Sequence, residues 1–316
     1  MSDRKVGAMT IEELNESAAD GSIDEVIRIA EARQVKALSK IADTICSRKD
    51  VRLVLVSGGS AAGKTTTAKR LCTQLRVDDR PALHLSTDDY FVGDARNPRD
   101  ENGNLDYEHV DCVDIEPLAR DLNALFRGEV VPRRTFDFVN HCPLYDGGFR
   151  TLPPRGIVVL EGIHALNPRL SEHVDEAAGF KVFVAPNPTI DIFAGLTPSP
   201  SDSRFLRRLV RDNQFRKLNP VATLDMWPKV LAGEKKWIEP FRDGADAVFD
   251  SYLVYELAVL KPYAGGLLER ARLEVGERPQ IMNMIRLLSA VDAVAPNAVP
   301  GDSILRETIG GSQLEY

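Results

Sequence analysis

A glycine-rich segment near residue 60 has the residue types and spacing of a phosphate-binding loop. It fits the pattern GxxxxGK[ST] over the residues Gly58, Gly59, Ser60, Ala61, Ala62, Gly63, Lys64 and Thr65. Glycines allow the tight turn that points consecutive backbone N–H groups at phosphate oxygens. Lys64 would reach the β- and γ-phosphates of a nucleotide, and the hydroxyl of Thr65 would bind Mg²⁺. Thr66 extends the predicted set of phosphate contacts.

The flanking sequence supports this interpretation. Residues 51–56 form a β-branched run typical of a strand buried on both faces, and residues 64–75 have a helical pattern. That helix would present its positive N-terminal end to the same anion. The chain contains neither the NKxD sequence of GTPases nor the LSGGQ sequence of transporter ATPases. Among proteins with such a loop, these observations favour a small-molecule kinase.

Acidic residues follow two further predicted strands. Asp88 and Asp89 come after the strand predicted at residues 82–86, and Glu161 ends the strand predicted at 156–161. Parallel sheets place their ligands at the carboxyl ends of strands. A helix cap or a solvated turn is the alternative explanation for each. Beside a phosphate-binding loop, we expect carboxylates for Mg²⁺ and for the proton of an attacking hydroxyl.

A group of arginines lies in the helical segment 203–217. Arg204, Arg207 and Arg211 are spaced i, i+3, i+7, which puts them on one helical face. Such a face can act as a lid, here residues 201–217, that stabilises charge during phosphoryl transfer. A solvated face with weak salt bridges is the alternative. Arg208 lies off this face and is expected to be its solvated member.

The order of predicted elements indicates the fold class. Strands alternate with helices, which predicts an α/β fold with a doubly wound, mainly parallel sheet flanked by helices. Further strands are expected at 181–185 and 245–249, and a small β excursion at 130–152 with a turn at 146–148. Residues 1–23 are expected to be loosely ordered, and 186–200 to be a connector. The expected organisation is an N-terminal helical extension (1–48), a kinase domain (49–262) and a C-terminal helical extension (263–316).

Composition excludes several classes. The 316 residues include 40 Lys and Arg against 47 Asp and Glu, a formal net charge of −7, which disfavours general binding to nucleic acid or to anionic membranes. The four cysteines are widely spaced, and the sequence has no apolar run of membrane-spanning length. A cytoplasmic protein is the default expectation. Residues 255–291 could pack on the kinase core or on another subunit, so a homo-oligomer is one alternative.

Several segments together resemble the uridine kinase and phosphoribulokinase family of P-loop kinases. The matching segments, in the order of the family, are SGGSAAGKTTTAKRL (57–71), STDDYF (86–91), GNLDYEHVDCVD (103–114), FDFVNH (136–141), VVLEGIHALN (158–167) and SRFLRRLVRD (203–212). The sequence is most similar to a bacterial uridine-kinase-like branch. Larger members of that branch carry an N-terminal domain similar to part of threonyl-tRNA synthetase, and we expect that domain to be absent here.

The resemblance implies ATP and Mg²⁺ as cofactors and assigns roles by position. Asp88 would be the catalytic base and, with Thr65 and Glu161, would hold Mg²⁺. Lys64 and Arg207 would complete the catalytic set, and Arg207 and Arg211 would also contact the ATP phosphates.

The acceptor is expected to be a small molecule bound by Glu108, Phe136, His141 and Arg204. Uridine kinases place a Tyr–His pair at the base of the nucleoside, and Phe136 with His141 takes that place here. Glu108 stands where the family has its ribose-binding Asp. The resemblance makes a nucleoside 5′-hydroxyl the favoured acceptor. A sugar, sugar phosphate or other polyol is the first alternative, because Phe136 and Glu108 differ from the residues of uridine kinases. A nucleotide-sensing module without turnover is the second.

Overall fold

Five short strands form one parallel sheet in the computed structural model, which describes residues 9–137, 140–174, 179–191 and 197–314. The strands are β1 (Leu53–Ser57), β2 (Ala82–Ser86), β3 (Val131–Asp137), β4 (Cys142–Arg150), β5 (Ile157–Glu161), β6 (Gly179–Ala185) and β7 (Ala247–Asp250). The sheet has the order β2-β5-β1-β6-β7, while β3 and β4 pair with each other as an antiparallel hairpin. The predicted strands and the fold class are confirmed.

Helices cover both faces of the sheet and extend it at one side. They are α1 (Ile11–Asp20), α2 (Ile23–Ser47), α3 (Lys64–Val77), α4 (Ile115–Phe126), α5 (Pro168–Ser171), α6 (Pro200–Phe215), α7 (Pro220–Trp237), α8 (Glu256–Val275), α9 (Pro279–Ser289) and α10 (Arg306–Ile309). Short 3₁₀ turns lie at Thr87–Tyr90, Val110–Cys112, Glu239–Gly244 and Pro296–Ala298. None of the helices in these ranges is long and apolar enough to cross a bilayer.

The central strands are apolar on both faces because both faces are covered. Leu53 and Leu55 of β1 face a core that α4 completes with Leu122. Val54 and Val56 face the opposite core, which the C-terminal half of α2 and α3 complete. A third apolar core joins α1, the first half of α2, and helices α6 to α9. That core crosses the domain boundaries predicted at residues 48 and 262, and the C-terminal extension packs directly on the lid helix.

The prediction of a loosely ordered N-terminus is wrong for residues 10–20. They form α1, whose first turn carries a reciprocal capping box between Thr10 and Glu13. Such a box satisfies two backbone N–H groups that a helix start leaves open. Leu14 is fully buried in the helical core. The first eight residues and residues 192–196 of the predicted connector lie outside the described ranges.

The predicted turn at residues 146–148 is also wrong. Asp146, Gly147 and Gly148 lie inside β4, where the register shifts against the partner strand between Pro132 and Arg134. Asp146 accepts a hydrogen bond from the backbone N–H of Gly148. Gly147 has φ +82°, a conformation that favours glycine. The segment is therefore a bulge within the hairpin, and the hairpin reverses between β3 and β4.

A buried ion pair links the lid helix α6 to α8. Arg207 is 1% exposed, and its guanidinium donates to the carboxylate of Glu256, which is fully buried. The same guanidinium donates to the carbonyl oxygen of Ser251 at 2.8 Å. This arrangement makes Arg207 a packing residue between two helices, because its donors are used on the side away from solvent.

We expect Arg207→Ala to lower the free energy of unfolding by about 3–5 kcal/mol, since it leaves the Glu256 carboxylate buried and uncompensated. The double variant Arg207→Met/Glu256→Leu should recover most of that loss, because it removes both charges and keeps the volume. Urea denaturation of the full chain measures both. A single variant with wild-type stability and a lowered kcat would instead support the phosphate-clamp role predicted from sequence.

Candidate active site

The phosphate-binding loop runs from the end of β1 to the start of α3. Other groups approach all three of its glycines closely, and a Cβ on Gly58 would lie 2.1 Å from the carbonyl oxygen of Val184. A Cβ on Gly59 would lie 1.7 Å from Nη1 of Arg204, and a Cβ on Gly63, which has φ +88°, would lie 2.7 Å from the side chain of Ile304. The Lys64 ammonium group donates to the Gly59 carbonyl oxygen at 3.0 Å. The Lys64 ammonium group therefore lies over the loop, where it is predicted to bind the phosphates of a nucleotide.

Glu161 lies at the level where three strands end. In the register of the sheet it pairs with Val56 of β1 and with Ser86 of β2. Its buried carboxylate accepts hydrogen bonds from Ser86 Oγ at 2.7 Å and from Thr65 Oγ1 at 3.2 Å. Burial, followed by the nearby charge of Asp88, raises the pKa of Glu161. The structure thus brings the predicted pair Thr65 and Glu161 into contact.

Asp88 follows β2 in a 3₁₀ turn that Ser86 caps by accepting from the Asp88 N–H at 3.3 Å. Burial raises the pKa of Asp88, and the positive charges of Lys64, Arg216 and Arg211 oppose this effect. Its neighbour Asp89 points elsewhere, because it accepts from Arg150 of the hairpin at 3.0 Å. Of the two adjacent carboxylates, only Asp88 is directed toward the lysine of the loop.

Arginines of α6 approach the loop in a different combination from the predicted one. Arg208 was expected to be solvated, and that prediction is wrong: it is 9% exposed and donates to Ser60 Oγ of the loop at 2.8 Å. Arg211 borders the small cleft beside Ala61 and Gly63. Arg207 also borders this cleft, but its guanidinium faces Glu256 as described above. Arg208 and Arg211, rather than Arg207, therefore direct their guanidinium groups toward the loop.

Asp212 explains how the arginines are held. It is fully buried, and its carboxylate pairs with Arg208 at 3.2 Å, Arg211 at 2.8 Å and Arg216 at 3.8 Å. One carboxylate among three guanidinium groups leaves an excess of positive charge beside the loop. The i, i+4 spacing of Arg208 and Asp212 was visible in the sequence, but the convergence of three arginines on one residue depends on how α6 packs.

The residues predicted to bind the acceptor lie on three different elements. Glu108 packs against Gly233 of α7: a Cβ added to Gly233 would lie 2.4 Å from the Cβ of Glu108. Burial raises the pKa of Glu108 to about 7, partly opposed by Arg208 and Lys64. Arg204 forms an ion pair with Glu234 at 2.7 Å. Glu108 and Arg204 therefore lie near the phosphate-binding loop, and their binding of the acceptor stays a prediction.

Phe136 lies on the hairpin and packs edge-to-face on Phe91 with ring centroids 5.4 Å apart. His141 is at the end of the turn between β3 and β4 with φ +52°. Residues 138–139 of the FDFVNH segment lie outside the described ranges. Phe91 directly follows the 3₁₀ turn that carries Asp88, so the pair Phe91 and Phe136 lies next to that turn.

Tyr107 was not predicted as a site residue. Its hydroxyl is 3.2 Å from His141 Nδ1 and donates to Asp94 Oδ1 at 2.7 Å. A phenol therefore lies beside His141, and it comes from a residue 34 positions away in the sequence. Nothing in the spacing of the sequence indicates this contact.

A C-terminal segment also reaches the loop, and sequence reasoning missed it as well. The Glu307 carboxylate accepts from Thr66 Oγ1 at 3.0 Å, and Ile304 packs on Gly63. The negative charge of Glu307 acts on Lys64, Asp88 and Glu161. Thr66, which is predicted to contact phosphate, therefore donates its hydroxyl hydrogen bond to the carboxylate of Glu307.

The donor set fits Mg²⁺ and a nucleotide triphosphate. Mg²⁺ prefers oxygen ligands and takes one or two carboxylates together with phosphate oxygens and water. Thr65, Asp88 and Glu161 supply such oxygens, and the described ranges hold no cluster of three acidic, His or Cys side chains that would form a metal site without phosphate. Burial raises the pKa values of Asp88 and Glu161, and a divalent cation beside them would stabilise their ionised forms.

The sheet carries a lysine-bearing loop at its carboxyl edge, with Glu161 at the end of β5, Asp88 just after β2 and an arginine-bearing helix facing the loop. This combination defines a P-loop phosphotransferase. The Phosphoribulokinase / Uridine kinase family matches residues 53–258, which is more than half of the chain. The protein belongs to this family and is a kinase that transfers phosphate to an alcohol group.

Similar proteins carry names from this family and its neighbours. A uridine kinase of Leuconostoc citreum (strain KM20) is 27% identical over 194 residues, which are 61% of this chain and 84% of that protein. A Silicibacter sp. TM1040 structure, provisionally described as a fructose transport system kinase, has a TM-score of 0.45 at 18% identity and covers 67% of this chain and 98% of its own. A Bacillus stearothermophilus structure, provisionally described as a uridine kinase, has a TM-score of 0.45 at 20% identity, with 70% and 100% covered.

We expect Glu307→Gln to strengthen the binding of nucleotide triphosphate by about three- to tenfold, since it removes a negative charge beside the phosphate-binding loop. Isothermal titration with a non-hydrolysable ATP analogue measures the change. The exposed residue Glu274 of α8 provides a matched control, and Glu274→Gln should bind as the wild type does. Weaker binding by Glu307→Gln would mean that Glu307 is itself a nucleotide ligand.

Proposed function

We propose that the protein is an ATP-dependent kinase that phosphorylates the 5′-hydroxyl of a nucleoside. Two contacts support this acceptor class, the ring pair Phe91 and Phe136 and the contact of Tyr107 with His141. Phe136 pairs with Pro143, two residues after His141, and we call the four residues together the aromatic corner. Its two phenylalanines offer an apolar surface to a flat ring, and its phenol and imidazole offer hydrogen bonds to the ring edge. A nucleobase has both features.

In this proposal the loop residues 58–65, with Thr66, hold the ATP phosphates, and Thr65, Glu161 and Asp88 would hold Mg²⁺. When bound, the cation would neutralise charge that develops on the transferred phosphoryl group. Lys64 contacts the β- and γ-phosphates, and Arg208 and Arg211 stabilise negative charge from the opposite side.

Asp88 accepts the proton of the attacking hydroxyl. Its position after β2, close enough to Lys64 for their charges to interact, supports this role. Burial of the carboxylate disfavours its charged form, which raises its proton affinity toward the range useful to a general base. Glu108 and Arg204, beside the loop, hold the sugar hydroxyls of the acceptor so that the 5′-hydroxyl lies at Asp88.

A polyol, sugar or sugar phosphate is the second candidate for the acceptor. Glu108 favours it, because its carboxylate can accept hydrogen bonds from two neighbouring hydroxyls whether or not a base is attached. The four arginines near the loop, Arg204, Arg208, Arg211 and Arg216, would also suit a phosphorylated sugar. The two candidates share every step of phosphoryl transfer and differ only in what fills the aromatic corner.

Release of ADP with Mg·ATP across a panel of nucleosides, sugars and polyols tests the acceptor. We expect turnover with uridine or cytidine and a fall of about 10²- to 10⁴-fold in kcat for Asp88→Asn, the size typical of a lost general base. Asp89→Asn is the matched control, because Asp89 is paired with Arg150, and it should retain most activity. Turnover only with sugars or polyols would support the second candidate. ATP binding without turnover on any acceptor would refute both kinase assignments and favour a nucleotide-sensing role.

The acceptor KM should depend on pH through Glu108. Its pKa is about 7, so the side chain is mostly protonated at pH 6 and mostly ionised at pH 8. Only the ionised form accepts hydrogen bonds through both oxygens, and we therefore expect the acceptor KM to fall as the pH rises from 6 to 8. Steady-state kinetics at saturating ATP measures it. Glu108→Gln should abolish this dependence of KM, whereas any pH dependence of kcat that arises from Asp88 should persist; an unchanged KM profile in the variant would contradict the assignment.

A further inference from the structure

A second cavity lies at the opposite edge of the sheet from the phosphate-binding loop. Its volume is about 790 Å³, within the range of small-molecule binding sites. Five cationic residues line it, namely Lys49, Arg52, Arg80, Arg127 and Arg155, and its lining contains no acidic residue. In a chain with a net charge of −7, such a concentration of positive charge creates a local field that attracts anions.

The topology explains why these residues meet. Lys49 and Arg52 precede β1, Arg80 precedes β2, and Arg155 precedes β5. Since β1, β2 and β5 are neighbours and parallel, their amino ends meet at one edge just as their carboxyl ends meet at the other. Arg127 joins them from the end of α4. The cavity is therefore separate from the kinase site and is built on the same three strands.

Most of this charge is not balanced by carboxylates. Arg127 pairs with Glu129 at 2.6 Å, and Glu129 does not line the cavity. Across the described ranges, Lys49, Arg80 and Arg155 take part in no ion pair. Arg80 instead donates to the carbonyl oxygens of Val51 at 3.0 Å and of Arg155 at 3.3 Å. Those carbonyls orient the guanidinium but leave its charge in place.

Arg80 is the strongest indication of a bound anion. It is 6% exposed, and a buried charge is costly unless an opposite charge compensates it. Lys49 and Arg155 are exposed at the rim, where they could complete the coordination of an anion that reaches Arg80. Several guanidinium groups around one cavity match the oxygens of phosphate better than those of a single carboxylate.

The remaining walls are apolar. Leu152, Pro153 and Pro154 form one side, and Phe126 lies under the guanidinium of Arg52, 5.1 Å from the ring centroid. A ligand that fills this cavity would place a charged group at the arginines and an uncharged part against the prolines. We propose that this amino-edge cavity binds a phosphorylated small molecule of nucleotide size, independently of the kinase site.

Titration of the full chain with inorganic tripolyphosphate and with ATP tests the proposal. The measurements are made in a Lys64→Ala background, which weakens the phosphate-binding loop. We expect saturable binding of both probes, and at least a tenfold loss when Lys49→Gln and Arg155→Gln are added, because two cations of the cavity are then removed. Tighter binding of ATP than of tripolyphosphate would identify a nucleotide as the ligand, and equal binding would identify the polyphosphate group alone.

The pair Arg33→Gln and Lys36→Gln, exposed residues of α2, is the matched control, since it removes the same charge elsewhere on the surface. It should leave the affinity unchanged. The proposal is overturned if Lys64→Ala alone removes all binding, or if the cavity variant and the control bind equally. The cavity variant should keep kinase activity on its acceptor in the otherwise wild-type chain, so failure here is distinguishable from failure of the proposed kinase function.

Discussion

The parallel strands β1, β2 and β5 end at one level, where acidic and basic side chains lie close together. The structure depends on the balance between their opposite charges. Glu161 is buried at that level and accepts from a hydroxyl of β2 and from a hydroxyl of the loop. Asp88 is held close by on the 3₁₀ turn after β2, and burial raises the pKa of both carboxylates. Lys64 and the arginines of α6 supply the opposite charge. Without the in-register ends of β1, β2 and β5, these groups would not be close enough to act together.

The arginines of the lid helix α6 point in two directions and have different partners. Arg207 turns toward α8 and forms a buried pair with Glu256, whereas Arg208 and Arg211 turn toward the loop with Asp212 between them. A buried pair that lacks one partner is strongly destabilising, so Arg207 fixes the orientation of α6. That orientation directs the neighbouring arginines at the phosphate-binding loop. Fold stability and the electrostatics of the site thus depend on the same helix.

A segment outside the family match at residues 53–258 also takes part in the site. Glu307 and Ile304 come from the C-terminal segment and contact Thr66 and Gly63 of the loop. The segment is held by Arg306, which donates to the carbonyl oxygens of Pro296 at 2.8 Å and of Gly310 at 3.3 Å. The part predicted as an extension therefore forms one wall of the nucleotide site.

The sequence by itself determined the strands, the phosphate-binding loop, the acidic residues at strand ends and the family. These features are local: a β-branched run, a glycine spacing or an acidic residue after a strand has the same meaning in most contexts. Glu108 and Arg204, which the resemblance predicts to bind the acceptor, lie near this loop.

Only the tertiary structure decided which way each charged side chain faces. Helical spacing predicted Arg207 and Arg211 on one face and Arg208 as the exposed residue. In the structure α8 buries Arg207, and Arg208 forms a hydrogen bond with the phosphate-binding loop. The Tyr107–His141 contact and the Glu307–Thr66 contact join residues 34 and 241 positions apart. Such contacts depend on the packing of distant elements, which no spacing along the chain encodes.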